Sequence, residues 1–126
     1  MRKLLLATCL IASVASAGTK ISLHDPPSPP GEYPLDFAPY TFVTGFSPDG
    51  NTIEGVCGYN FYWSTRNHAW YSCSWSLTGV PTLGAEICCD EYTDRPPRPV
   101  YGPFTNYAGD TIATPYSGGP PYLLLP

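Results

Sequence analysis

From Ile53 to Leu77 nearly every apolar side chain falls on alternate residues. Ile53, Cys57, Tyr59 and Phe61 lead into Trp63, and after a polar stretch at 64–68 the alternation resumes with Ala69, Tyr71, Cys73, Trp75 and Leu77. Ser72, Ser74 and Ser76 occupy the intervening positions. A period of two with one apolar side is the pattern of a strand that buries a single face. Two such runs about a short polar loop predict a β-hairpin. Centred on Thr65, it pairs Trp63 with Asn67, Phe61 with Ala69, Tyr59 with Tyr71, Cys57 with Cys73, Gly55 with Trp75, and Ile53 with Leu77.

The same alternation predicts a strand over Tyr40, Phe42, Thr44 and Phe46, closed by the turn Ser47-Pro48-Asp49-Gly50, where Pro sets φ and Gly accepts a positive one. A second strand starts at Thr52 and runs into the hairpin. Gly79-Val80-Pro81 then breaks the chain before a fourth strand from about Leu83 to Cys89. Arg95-Pro96-Pro97-Arg98-Pro99 lacks the N–H donors of a central strand, whereas Val100 to Tyr107 and Thr111 to Thr114 each suit a short edge strand. With no helical period of useful length beyond the first residues, the expected fold is all-β. It is a small disulfide-stapled antiparallel β-sandwich or barrel of five to seven short strands.

The two ends read differently from the middle. Arg2 and Lys3 precede an apolar run from Leu4 to Val14 and the small-residue site Ala15-Ser16-Ala17, the layout of a secretory signal peptide cleaved after Ala17. Residues 18–39 carry Asp25-Pro26-Pro27-Ser28-Pro29-Pro30-Gly31, Pro34 and Pro39, which predicts an extended lead-in. Residues 40–114 form the β domain. Residues 115–126 read as a tail whose Leu123-Leu124-Leu125 either docks on the domain or stays exposed.

Export changes the cysteine count, because Cys9 leaves with the signal peptide and Cys57, Cys73, Cys88 and Cys89 remain. An even number in an oxidising compartment predicts disulfides, and four cysteines allow three pairings. The hairpin register sets Cys57 opposite Cys73. Adjacent cysteines rarely bond to each other, so the competing scheme sends Cys57 and Cys73 separately to Cys88 and Cys89. Charge narrows the partners. The exported chain has Lys20, Arg66, Arg95 and Arg98 as its basic residues against ten acidic ones, a net charge of −6. Tracking a phosphate backbone takes clustered Lys and Arg, so nucleic acid is not an expected partner.

Candidate chemistry is sparse. His24 and His68 are the two histidines, and a ribonuclease-like hydrolase would draw on Glu54, Arg66 and His68 as base, charge stabiliser and acid. The register sets Glu54 well along the sheet from the hairpin tip, which weighs against an enzyme. No catalytic set, metal site or cofactor is expected, since no C-x-x-C, H-E-x-x-H or acidic loop motif occurs. Binding is the stronger expectation. On the even face of the hairpin, Tyr62 lies beside His68 and Asn60 beside Trp70, a cluster suited to stacking a sugar or aromatic ligand. If that face is covered instead, Trp70 is ordinary core. The expected partner is a host extracellular protein, or a small aromatic or glycan ligand, with no membrane involved once the signal peptide is gone.

The order turn, Gly50-Asn51-Thr52-Ile53-Glu54-Gly55-Val56-Cys57, polar loop, His68-Ala69-Trp70-Tyr71-Ser72-Cys73 resembles the Alternaria major-allergen-like family of small fungal secreted proteins. The resemblance spans residues 40–77. It implies a compact antiparallel β-barrel with a disulfide joining Cys57 to Cys73. It also implies a fungal exported protein that binds plant defence proteins or small phenolic ligands, acts as a virulence factor or elicitor, and forms a homodimer. Adjacent Cys88 and Cys89 depart from the family's second, well-separated cysteine pair.

Overall fold

The computed structural model describes residues 18–61, 68–89, 95–116 and 118–126. The expected signal peptide lies outside these residues, as does the hairpin tip with Tyr62, Trp63, Thr65 and Arg66. The described chain is all β, with strands β1 (Thr19–Ser22), β2 (Glu32–Pro34), β3 (Phe42–Phe46), β4 (Thr52–Phe61), β5 (His68–Ser76), β6 (Pro81–Cys88), β7 (Phe104–Thr105), β8 (Thr111–Ala113) and β9 (Tyr122–Leu125). They form two antiparallel sheets. One has the order β1-β9-β8-β7; the other has the order β2-β4-β5-β6, with β3 pairing on β4 beyond the end of β2. Neither sheet closes on itself, so the architecture is a sandwich and not a barrel.

The hairpin forms as its alternation requires, with its register displaced by two residues from the Thr65-centred pairing. Cys57 faces Tyr71, Gly55 faces Cys73, Ile53 faces Trp75 and Asn60 faces His68. A shift of two leaves every side chain on the face the alternation assigns it, which is why the inner face survives the displacement. Cys57 and Cys73 then meet along a diagonal, with their Cα atoms 5.9 Å apart, and form the disulfide. Closing a loop of 16 residues in this way removes about 3 kcal/mol of freedom from the unfolded chain. The displacement also slides the Trp75 indole over Gly55, where any Cβ would strike the ring and the Phe42 carbonyl. Gly55 is thus a packing requirement.

Ile53, Cys57, Tyr59, Cys73 and Trp75 form the inner face of the hairpin. They pack with Val43 from β3, Leu23 from the lead-in, Ile112 from β8 and Leu123 from β9. This is the core between the sheets. A bulge between Val43 and Gly45 shifts the pairing of β3 on β4. Phe42 consequently packs in a separate small cluster with Val56, Trp70 and Cys88, whereas Val43 and Phe46 both pack against the main core. The simple alternation had placed Phe42 and Phe46 on one face, and the extra residue of the bulge separates them.

Both ends of the described chain belong to this fold. β1 pairs with β9, Ile21 lying opposite Leu123, and β9 pairs in turn with β8. The lead-in adds β2, which pairs with the end of β4. These three strands bring the total among the described residues to nine, above the expected five to seven. Leu123, in the middle of the predicted tail, is fully buried, and so is Leu23 in the predicted lead-in. Proline explains why the lead-in docks. The Trp75 indole N–H donates to the His24 carbonyl at 2.8 Å, and the Tyr59 hydroxyl donates to the Pro26 carbonyl at 2.9 Å. A proline-rich segment offers carbonyl acceptors while bringing few N–H groups that would need partners of their own.

Cys88 and Cys89 bond to each other, and the peptide bond between them is cis. Their pairing leaves Cys57 and Cys73 to join directly, and the scheme that sends the hairpin cysteines separately to Cys88 and Cys89 does not occur. No helix among the described residues is long and apolar enough to cross a membrane.

Two outcomes follow for this architecture. Peptide mapping without reduction should recover one fragment that links Cys57 to Cys73 and none that links either to Cys88 or Cys89. Deleting residues 118–126 removes β9 from between β1 and β8, and should abolish the cooperative melt followed by circular dichroism.

Candidate functional site

The even-numbered residues of β4 and β5 point away from the core and build the outer face of the larger sheet. Its two ends differ. At one end Trp70 packs with Phe42, Val56 and Cys88, and Tyr40 and Cys89 close over the cluster. Tyr40 stacks on Trp70 with ring centroids 6.0 Å apart and leans on His68 at 4.9 Å. Trp70 is only 5% exposed, so its ring face is not open to a ligand. The cover is supplied by the chain entering β3.

The sequence-selected ligand residues are accordingly dispersed in role. Asn60 and His68 are half-buried and directly opposite each other, and the Asn60 amide donates to the Tyr33 hydroxyl of β2. Trp70 is core of the small outer cluster, and Tyr62 lies outside the described residues. Two ring nitrogens in this cluster, His68 Nδ1 and Trp70 Nε1, are buried with no hydrogen-bond partner.

The other end of the outer face is a shallow trough of about 370 Å³. Thr44 of β3, Glu54 of β4, Ser72 and Ser74 of β5, and Thr82 and Gly84 of β6 line it. The strand period puts these residues side by side, because Glu54 faces Ser74 and Ser74 faces Thr82 across three neighbouring strands. Gly84 forms a low wall, since a Cβ there would collide with Ser72. Part of the polar lining is engaged in the sheet itself: the Thr44 hydroxyl donates to the Glu54 carbonyl at 3.2 Å, and the Ser72 hydroxyl to the Ala85 carbonyl at 3.4 Å. The Glu54 carboxylate is exposed at the trough's edge.

The trough is not equipped for acid–base chemistry. Glu54 lies opposite Ser74 and His68 lies opposite Asn60, six residues along the same strand pair, which at the rise of an extended strand is about 20 Å. A proton relay needs hydrogen-bond reach, so Glu54 and His68 do not form a base and acid pair. Arg66, the third member of that set, lies outside the described residues. His24 is held elsewhere, its Nδ1 3.3 Å from Asp36 Oδ2 in the lead-in. No group of three or more His, Cys, Asp or Glu among the described residues is placed to hold a metal.

A second concavity, about 350 Å³, lies between the Ser47–Gly50 turn and the turn after β7. Its main polar side chain is spent on structure. Asn106 donates to the Gly50 carbonyl at 3.2 Å and to Asp110 at 2.8 Å, and its Oδ1 accepts the Ala108 and Asp110 amides. The trough on the outer sheet is therefore the better candidate. Alternate serines at Ser72, Ser74 and Ser76 already signal this polar face in the sequence. That Thr44 and Thr82 flank it depends on strand neighbours that spacing alone does not specify.

No family model, no curated protein and no solved structure matches the chain.

The two ends of the outer face should respond differently to substitution. Trp70→Ala removes a buried ring from a packed cluster and should cost about 3–5 kcal/mol in chemical denaturation. Ser74→Ala, on the trough floor, should leave the denaturation midpoint essentially unchanged.

Proposed function

We propose that the protein is a secreted, non-catalytic binding protein, effector- or elicitor-like and of the exported fungal kind that the resemblance implies, whose ligand is a glycan received in the outer trough. The single observation that carries this reading is the lining of the trough. Hydroxyls from Thr44, Ser72, Ser74 and Thr82 line it beside one exposed carboxylate, Glu54, and those of Thr44 and Ser72 remain as acceptors because their protons go to the Glu54 and Ala85 carbonyls. A hydroxyl not engaged in the sheet donates and accepts alike, as sugar hydroxyls do, and a carboxylate can accept from two neighbouring sugar hydroxyls at once. Placement on strands holds the set in fixed geometry without loop ordering at the moment of binding. Glu54 is the single carboxylate among the described residues that line the trough, and glycoside hydrolysis takes a pair, which supports recognition over hydrolysis. Export is supported by the leader pattern at 1–17 and by the disulfide between Cys57 and Cys73.

Soluble cell-wall oligosaccharides, titrated by calorimetry and by amide chemical-shift mapping, test the reading. Saturable binding is expected without turnover, with shifts confined to Thr44, Glu54, Ser72, Ser74 and Thr82. Ser74→Leu should weaken it at least about tenfold, equivalent to roughly 1.4 kcal/mol, without changing the melting temperature. Shifts centred elsewhere, or cleavage of the sugar, would overturn it.

A further inference from the structure

The lead-in is fastened to the sheet by a group of polar atoms centred on Thr41, which is fully buried. The Thr41 hydroxyl oxygen lies 2.7 Å from Asp25 Oδ1 and 2.7 Å from the Leu35 carbonyl oxygen, and it accepts the Gly58 amide of β4 at 3.2 Å. A hydroxyl has one proton to give and two lone pairs to receive with. Both Leu35 O and an ionised Asp25 are pure acceptors. With Asp25 ionised, one of the two contacts at 2.7 Å would be oxygen against oxygen with no hydrogen between.

A proton on Asp25 Oδ1 resolves the conflict completely. Asp25 then donates to Thr41, Thr41 donates to Leu35, and the second lone pair of Thr41 keeps the Gly58 amide. The other carboxyl oxygen agrees, for Asp25 Oδ2 is buried with no partner. A bare acceptor is tolerable on a neutral acid and costly on a carboxylate. Asp36 lies on the remaining side and takes the Asp25 backbone amide on Oδ1 at 2.6 Å, so its charge also opposes ionisation of Asp25.

We infer that Asp25 carries its proton in the folded protein, and that this proton fastens a clasp between the segment 23–41 and β4 which loosens as the medium turns alkaline. This goes beyond the binding reading and does not depend on it. Asp36 and His24 face the clasp from the lead-in, and Tyr59 faces it from β4. Glu32 of β2 and Tyr71 of β5 lie beyond Tyr59, the Tyr71 hydroxyl donating to the Glu32 carboxylate at 2.8 Å. None supplies Asp25 with a positive partner. Burial pushes the Asp25 carboxyl up to about 8, the Thr41 hydrogen bond pulls it down, and the Asp36 charge adds to the rise.

The sign follows from proton linkage. Below about pH 4 both the folded and the unfolded chain hold this proton, and the clasp contributes its full stability. As pH rises from there, the unfolded chain releases the proton while the folded chain keeps it. The contribution is lost progressively until the folded carboxyl itself ionises near 8.

The test is a set of three measurements on the full exported chain. Carbon-detected NMR of the wild-type protein should show the Asp25 carboxyl titrating several pH units above an ordinary aspartate, and amide exchange over 23–41 should speed up across the same transition. Asp25→Asn preserves a neutral side chain that can donate to Thr41. Between about pH 4 and pH 8 its melting temperature should fall less steeply than that of the wild type. An Asp25 carboxyl that titrates in the ordinary aspartate range would overturn the inference, and it needs no variant to fold. So would an Asp25→Asn protein that keeps the wild-type pH slope.

Discussion

The fold depends on what happens to two buried polar tips. Tyr59 and Trp75 are fully buried on the inner face of the hairpin, and each carries a donor that cannot reach water. Leaving either unpaired would cost about 1–3 kcal/mol, enough to offset much of the gain from burying the ring. Both donors are satisfied by main-chain carbonyls of one short segment, His24 and Pro26. That requirement draws the proline-rich lead-in across the hairpin. Once it is there, Leu23 lies in the core and its amide bonds to the Pro121 carbonyl at 2.7 Å. The last strand is thereby tied to the first. The second sheet is in this sense a consequence of the aromatic residues of the first.

The disulfide and the bulge divide the remaining work between the two faces of the larger sheet. The diagonal link between Cys57 and Cys73 pins the inner face, where the aromatic rings pack. The irregularity between Val43 and Gly45 lets β3 serve both sides, with Val43 and Phe46 in the main core and Phe42 in the outer cluster. Because Phe42 and Tyr40 cover Trp70, the apolar end of the outer face is occupied by the protein's own side chains. What remains open on that face is the hydroxyl-rich end.

Much of this was legible in the sequence, in the parts governed by local period. The alternation from Ile53 to Leu77 is enough to read the hairpin, its inner residues and the all-β class, and the turn at Ser47 to Gly50 forms with the Gly50 amide on the Ser47 carbonyl at 2.8 Å. Register was not legible to better than two residues. Faces depend on parity, but the pairing of Gly55 with Cys73 depends on where the Trp75 indole finds room. The course of the lead-in is hidden for a related reason: proline density describes a stiff, extended chain equally well whether it crosses solvent or a sheet. Ile21 and Leu23 alternate with Lys20, Ser22 and His24, a short strand signal that only its partner Leu123 makes meaningful. The Thr41 cluster was beyond reach because its members stand at positions 25, 35, 41 and 58 and share no spacing rule.

The distribution of polar side chains explains why the outer trough, rather than any interior group, carries the functional reading. Several interior polar side chains are committed to holding segments together. Thr114 accepts the Val43 amide at 3.4 Å, Glu32 takes the Tyr71 hydroxyl, and Thr41 joins three segments at once. Altering any of these changes stability before it changes recognition. The trough residues sit on the same strands but face outward, so their backbone is held by the sheet while their side chains play little part in the core. A surface that can be substituted without unfolding the protein is one that selection can shape for a ligand. In a chain this small, with Trp70, Phe42 and Tyr40 packed together at one end of the outer face, that freedom lies at the serine and threonine end.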